Sequence, residues 1–213
     1  MRIFTGLVLS YLIGSLPTGY VLGRLLKGID IRHYGSGNVG ATNAFRALGK
    51  GPGLVVLIID ILKGALAVVA LGSLLSLDGI VECVLLGIAV VCGHNWTIFL
   101  RFRGGKGIAT SLGVLIGLAI KFAVLRPVLL LTLFVWIITF ILSHTVSLAS
   151  LVAALALPCF MMLTRQVIEI VILGWIFCVF VLVRHWPNIQ RLIRGEESKI
   201  RLSSKTSSER HSS

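Results

Sequence analysis

The chain has 213 residues, 56% hydrophobic and only 13% charged, whereas a soluble domain carries about a quarter charged residues. Apolar runs of roughly 20 residues recur, the length a helix needs to span a bilayer core, so the composition excludes an ordinary soluble domain and indicates an integral membrane protein. The formal net charge of +12 would suggest nucleic acid in a soluble protein, but here the cations cluster between and after the apolar runs. Membrane topology and anionic headgroups account for that placement, and no nucleic-acid partner is expected.

The first apolar run covers about residues 3–26 and is interrupted by Gly14, Ser15, Pro17 and Gly19. Small residues allow close helix contact, and a proline kink is tolerated within a bundle. Arg2 followed by an apolar run resembles a signal peptide, but no A-x-A-like cleavage site follows and the run continues to Arg24, so it is read as a retained span. After a polar segment (27–52) comes a second span over about 53–76, carrying Asp60 and Lys63 three residues apart on one face. Ionisable residues inside a span are functional candidates; mutual neutralisation as a structural pair is the equal alternative.

A short turn with Asp78 and Glu82 leads into a third span (80–96), then a fourth (107–124), a fifth (128–143), a sixth (147–163) and a seventh (167–183). Residues 1–199 read as one membrane domain, and the Ser-rich stretch 200–213 as a polar, disordered tail. Four cysteines, Cys83, Cys92, Cys159 and Cys178, sit inside apolar runs without Cys-x-x-Cys spacing, which indicates packing rather than a disulfide framework or a zinc site.

The expected fold is therefore an all-α integral membrane protein of seven transmembrane helices, with its ends on opposite sides. Loops and tail on one side then hold 15 Lys and Arg and the other side only 4. The positive-inside rule places the N-terminus outside and the C-terminus in the cytoplasm. Three polar breaks, at 27–52, at 93–107 and from Arg184 onward, all fall on the cytoplasmic side.

The first break reads Gly35-Ser36-Gly37-Asn38-Val39-Gly40-Ala41-Thr42-Asn43-Ala44-Phe45-Arg46. It formally matches G-x-G-x-x-G, but a dinucleotide site needs a strand and a βαβ unit, and apolar helices surround this loop instead. The remaining chemistry is that of an anion site: glycines let backbone N–H groups approach, while Ser36, Asn38, Thr42, Asn43 and Arg46 add donors. The second break, Gly93-His94-Asn95-Trp96 through Arg101-Phe102-Arg103-Gly104-Gly105-Lys106-Gly107, fails the Walker A pattern. It nonetheless reads as a phosphate cradle leading into a helix N-terminus, where the dipole favours an anion. Arg101 and Arg103 in it read as headgroup anchors. The third break, from Arg184, places Asn188, Arg191 and Gly195 on one face if helical after Pro187. His185 is a candidate phosphate donor or base, and Glu197 a hydroxyl acceptor or an orienter of a cation. His144, beside Ser143 and Thr145, is a weaker candidate.

No Ser occupies a G-x-S-x-G elbow, no His precedes an Asp by five residues, and no grouping has metal spacing. A site of cations, glycines and neutral donors acts by positioning and electrostatic stabilisation. The alternative class is a small transporter of a phosphorylated or anionic solute, built on broken helices. That class calls for matching broken segments in two repeats, and the three breaks are unlike one another.

Together Ser36-Gly37-Asn38-Val39-Gly40-Ala41-Thr42-Asn43, Gly93-His94-Asn95-Trp96 with Phe102-Arg103-Gly104-Gly105-Lys106-Gly107, and His185-x-x-Asn188-Ile189-x-Arg191-Leu192-x-x-Gly195-x-Glu197 resemble the acyl-phosphate-dependent glycerol-3-phosphate acyltransferases of bacteria (the PlsY type). Asp60-x-x-Lys63-Gly64 also fits, and the resemblance runs to about Lys199. It implies a seven-helix enzyme of the bacterial inner membrane, multi-pass, with its active site toward the cytoplasm. Such an enzyme moves a fatty acyl group from acyl phosphate to the 1-hydroxyl of glycerol 3-phosphate, giving lysophosphatidic acid and phosphate in the first step of phospholipid synthesis. The resemblance implies no cofactor and no metal, and an upstream enzyme that forms acyl phosphate as a possible partner. It makes Lys106, His185, Asn188 and Ser36 the catalytic candidates. Gly37, Asn38, Gly40, Thr42, Asn43, Arg46, His94, Asn95, Gly104, Gly105, Gly107, Arg191 and Glu197 become candidates for binding substrate or phosphate. Thr97 stands where the family often has Pro, and Arg103 where Lys is usual. The segment at Ser143-His144-Thr145 lacks the Arg-aromatic pair expected before Val146-Ser147.

Overall fold

The computed structural model describes residues 1–199, which form helices and no strand; the tail proposed for 200–213 lies outside the described residues. Helices α1 (Arg2–Ser15) and α2 (Thr18–Lys27) form the first apolar segment, broken at Leu16-Pro17. A short helix α3 (Ala41–Ala47) occupies the middle of the first polar break, and α4 (Lys50–Leu66) continues through a π turn at Ala67–Leu71 into α5 (Gly72–Leu74). Then follow α6 (Ile80–Asn95), α7 (Ile108–Lys121), α8 (Arg126–Ser143), α9 (Val146–Leu163) and α10 (Ile168–Arg184). Helix α11 (Trp186–Ile193) leaves α10 at a bend of 63°. Each of the seven apolar runs is thus helical. Five are long and apolar enough to cross a membrane, and the bent α10–α11 pair makes a sixth. Helix α7, with 14 residues, is about 21 Å long, against roughly 30 Å of hydrocarbon.

Helix α1 lies along α6, α4 along α7, and α9 between α8 and α10. Two of these pairs close on reciprocal glycines. A methyl group on Gly14 would meet the Val90 carbonyl oxygen at 2.0 Å, and one on Gly93 would meet that of Tyr11 at 2.0 Å. In the α4–α7 pair, Gly64 faces the Thr110 carbonyl at 2.1 Å and Gly113 that of Ile61 at 1.9 Å on the same test. Backbone therefore meets backbone, the arrangement by which helices associate where lipid removes the hydrophobic drive. The apolar core, including Val90, Val114, Leu118, Leu173 and Phe177, fills the space among α6, α7 and α10.

The break at Leu16-Pro17 leaves carbonyls that must be satisfied from elsewhere. Thr97 donates its hydroxyl to Ser15 O at 2.5 Å, and Lys63 donates to Leu16 O at 2.5 Å. Lys63 also bonds Thr18 Oγ1 at 2.6 Å and Asp60 Oδ1 at 2.7 Å, in a site almost closed to solvent. The Asp60–Lys63 pair is thereby a structural one, with the ammonium stitching the broken helix to α4. Thr97, in turn, supplies a hydroxyl that a proline at its position would lack.

Candidate active site

The first break folds around Asn43, which is 1% exposed. Its Nδ2 donates to the carbonyls of Ile31, Tyr34 and Asn38, and its Oδ1 accepts the Ser36 N–H at 2.9 Å. One amide therefore fixes the whole turn, and Gly35 (φ +57°) lies so near that a Cβ there would fall 2.3 Å from Asn43 Oδ1. Asn38 Oδ1 accepts the Gly40 N–H at 2.9 Å. What the turn offers outward is the hydroxyls of Ser36 and Thr42 and the exposed guanidinium of Arg46, which line a cavity. Asn43 lines it too, with its amide engaged within the turn.

The second break is clamped from both sides. The Gly104 and Gly105 N–H groups donate to the carbonyls of Asn95 (3.1 Å) and His94 (2.9 Å) at the end of α6. Arg184 reaches across from α10 and donates to the carbonyls of Gly104 (2.8 Å) and Gly105 (2.9 Å). A Cβ on Gly104 would fall 2.1 Å from His94 O, and one on Gly105 2.0 Å from His94 Nε2. Both amides are thus committed to the end of α6, and neither residue borders the cavity. The cradle begins one step later. Gly107 (φ +81°) precedes α7, and the first-turn N–H groups of that helix have no intrahelical acceptor. Gly107, Ile108 and Ala109 do line the cavity.

The third break supplies the partner for Lys106. Its ammonium donates to Asn188 Oδ1 at 2.5 Å, and Asn188 Nδ2 donates to Glu197 Oε1 at 2.7 Å. Glu197 also accepts from Ser147 Oγ at 2.9 Å and, on Oε2, from Arg191 Nε at 2.7 Å. His185, 3% exposed at the α10–α11 bend, uses Nδ1–H on the Val181 carbonyl (2.9 Å), which leaves Nε2 for the cavity. Asn188 and Glu197 line the cavity, and Asn188 bridges Lys106 to Glu197. Arg191 bonds Glu197 and lies outside the cavity lining. Gly37 and Asn95 also lie outside the lining, as does the exposed His144.

Burial pushes the Lys106 pKa down to about 8, with Arg191, Arg46 and Arg184 adding to the effect and Glu197 opposing it. For Glu197, burial would raise the pKa, but hydrogen bonds from Arg191, Asn188 and Ser147 outweigh it and hold the carboxyl below its ordinary range. The cavity has a volume of about 440 Å³. One end is polar, formed by the groups above with Asp60 and His94. The other is apolar, running past Leu115, Leu129, Leu133, Trp136, Leu157 and Phe177 between α7, α8, α9 and α10. Sequence reasoning missed Arg184 as a site-building residue and left Ser147 without a role. Only the crossing of α10 over the second break, and of the chain near Glu197 over α9, gives them one. Among the described residues no three His, Cys or carboxylate groups are gathered for a metal.

Comparison with known proteins identifies the family. Residues 4–195 match the family model described as glycerol-3-phosphate acyltransferase. A glycerol-3-phosphate acyltransferase of Desulforudis audaxviator is 47% identical over 192 residues, covering 90% of this chain and 92% of the relative. One from Gloeobacter violaceus is 42% identical over 193 residues, covering 90% and 91%. Two crystal structures of PlsY (YgiH), an integral membrane glycerol 3-phosphate acyltransferase, superpose with TM-scores of 0.84 (glycerol 3-phosphate form) and 0.81 (lysophosphatidic acid form). Both are 34% identical and cover 94% of this chain and 96% of the other. With the family model spanning nearly all of the described chain and relatives matched along almost their full length, this protein belongs to the glycerol-3-phosphate acyltransferase family.

Proposed function

We propose that the protein transfers a fatty acyl group from acyl phosphate to the 1-hydroxyl of sn-glycerol 3-phosphate, releasing lysophosphatidic acid and inorganic phosphate. The observation that carries this reading is a single cavity of two chemistries, cationic and amide-rich at one end and apolar at the other. A phosphate and a fatty chain joined in one molecule need both ends at once. The relatives' names supply the acceptor and product classes.

The hydroxyl oxygen attacks the acyl carbonyl carbon, a new C–O bond forms, and the bond from that carbon to the donor phosphate oxygen breaks. Lys106 and the first-turn amides of α7 hold the donor phosphate and take up the charge that develops as it leaves. Arg46, His185 Nε2 and the Ser36 hydroxyl receive glycerol 3-phosphate. The departing phosphate accepts the hydroxyl proton, since acyl phosphate is an activated anhydride whose leaving group needs no strong acid. Asn188 and Glu197 keep the ammonium aimed. Purified protein given both substrates should release phosphate and lysophosphatidic acid in equal amounts; solute uptake without product would favour a transporter instead.

Lys106 also sets a pH signature. Its lowered pKa of about 8 means that the free enzyme loses this cation as pH rises through that value. Bound phosphate dianion favours the charged form and moves the loss upward. The expected result is a kcat/KM that falls above about pH 8 while kcat holds to higher pH. Parallel falls in both parameters would remove Lys106 from the phosphate.

We read the enzyme as a protein of the bacterial inner membrane with seven spans, counting α7 and the two broken pairs, its N-terminus outside and its site toward the cytoplasm. The 15-to-4 sorting of cations supports this orientation.

A further inference from the structure

A second cleft, about 420 Å³ in volume, lies between Tyr20, Arg32, Phe99, Leu100, Arg101 and Arg103 and shares no lining residue with the main cavity. One wall is locked. Asp30 grips Arg32 through two contacts, at 3.0 Å to Nε and 2.6 Å to Nη2, and the Arg32 guanidinium sits 5.2 Å from the centre of the Tyr20 ring. The Arg24 guanidinium lies over the same ring at 5.5 Å and 3.8 Å from Asp30. Asp30 is thus already engaged by two arginines. On the facing wall, Arg101 and Arg103 are exposed and pair with no carboxylate among the described residues. Three guanidinium groups thus face one hollow, and the acid beside them among the described residues, Asp30, is already paired.

The backbone is held to present them. Arg101 (φ 52°) and Phe102 (φ 61°) are consecutive non-glycine residues in the left-handed region, a conformation that L side chains disfavour. Bonds from Phe102 N–H to Thr97 O (2.8 Å) and from Arg103 N–H to Leu100 O (3.1 Å) maintain it. The same turn exposes Ile98 (51%), Phe99 (57%) and Phe102 (58%). Cations in a hollow beside exposed aromatic and aliphatic side chains are the pattern of a headgroup site at the edge of hydrocarbon.

We propose that this cleft binds the phosphate of an anionic membrane lipid headgroup, clasped by Arg101 and Arg103 against Arg32, with Ile98, Phe99 and Phe102 among the acyl chains. The site rests on the membrane reading and not on the assignment of the catalytic cavity. Because the same turn runs on through Gly104 and Gly105 to Lys106, an occupied cleft steadies the segment from which Lys106 projects.

The test uses the full chain in phosphatidylcholine nanodiscs doped with phosphatidylglycerol, with native mass spectrometry counting the phosphatidylglycerol retained per protein. The double variant R101Q/R103Q should bind it roughly ten- to thirty-fold more weakly, while R101K/R103K, which keeps the charge, retains more than the glutamine pair. Turnover in pure phosphatidylcholine should be unchanged in both, so a failure of the catalytic reading leaves this readout intact. Equal retention by wild type and R101Q/R103Q overturns the proposal. Displacement of the lipid by an equal concentration of inorganic phosphate marks a soluble-phosphate site and overturns the lipid assignment. Should the glutamine pair fail to fold, wild type in rising salt decides: retention must fall with ionic strength, and retention indifferent to salt overturns the site.

Discussion

Lys106→Ala lowers kcat by about a thousandfold, as removal of a single donor aimed at developing charge does in other acyl-transfer sites. The ammonium is held at one point by Asn188 Oδ1, which leaves its other two hydrogens for the cavity. Without it, the leaving phosphate keeps only the α7 amides and more distant arginines. Lys106→Arg keeps the charge but puts a planar fork where a compact ammonium sat, and should restore only part of the rate. Phosphate release by monodisperse variant in nanodiscs is the measurement. Near-normal turnover of Lys106→Ala would end the assignment of Lys106 to the leaving group.

Gly93→Val should be strongly destabilising. The site of its Cβ is 2.0 Å from Tyr11 O and 3.0 Å from Ser15 N, both backbone atoms of α1. No rotamer relieves that clash, so α1 and α6 must separate. Overpacking costs up to about 3 kcal/mol and sometimes more, which for a chain of this size lowers Tm by roughly 10 °C. The separation also pulls Thr97 from Ser15 O, reopening the break at Leu16-Pro17. Gly51→Ala is the control: its added methyl meets nothing within 4 Å, and it should alter stability by no more than about 0.5 kcal/mol. A thermal melt in detergent that shows equal effects would refute the backbone-contact account.

The helices were legible in the sequence because apolar length is a strong signal, and the first of them carried its own break in Pro17. The expected run at 147–163 and the helix Val146–Leu163 differ by one residue at the start. Helix α3 was not legible: its Asn43 and Thr42 read as loop donors, since nothing local says that Asn43 turns inward. The glycines of the second break show the same limit. Their spacing signals that something approaches the backbone closely, but an incoming phosphate and the carbonyl end of α6 leave the same trace. Gly104 and Gly105 meet the carbonyl end. Asp60 and Lys63, likewise, were recognisable as a pair, whereas their partner, the carbonyl of Leu16, sits 47 residues from Lys63 in sequence.

Helix α7 has a consequence for the surrounding lipid. It is about 9 Å shorter than the hydrocarbon it faces and starts directly after Lys106 and Gly107. If it crosses the bilayer as a span, that difference has to be met at one or both of its ends, by thinning of the bilayer or by a water-filled dent. With the dent at the N-terminal end, the phosphate proposed to bind there would stand level with the first carbons of neighbouring lipid chains. The donor's fatty tail can then stay in the leaflet throughout, while the small polar acceptor descends to it. On that proposal, bilayer thickness becomes a parameter of the chemistry, through the depth to which glycerol 3-phosphate would travel.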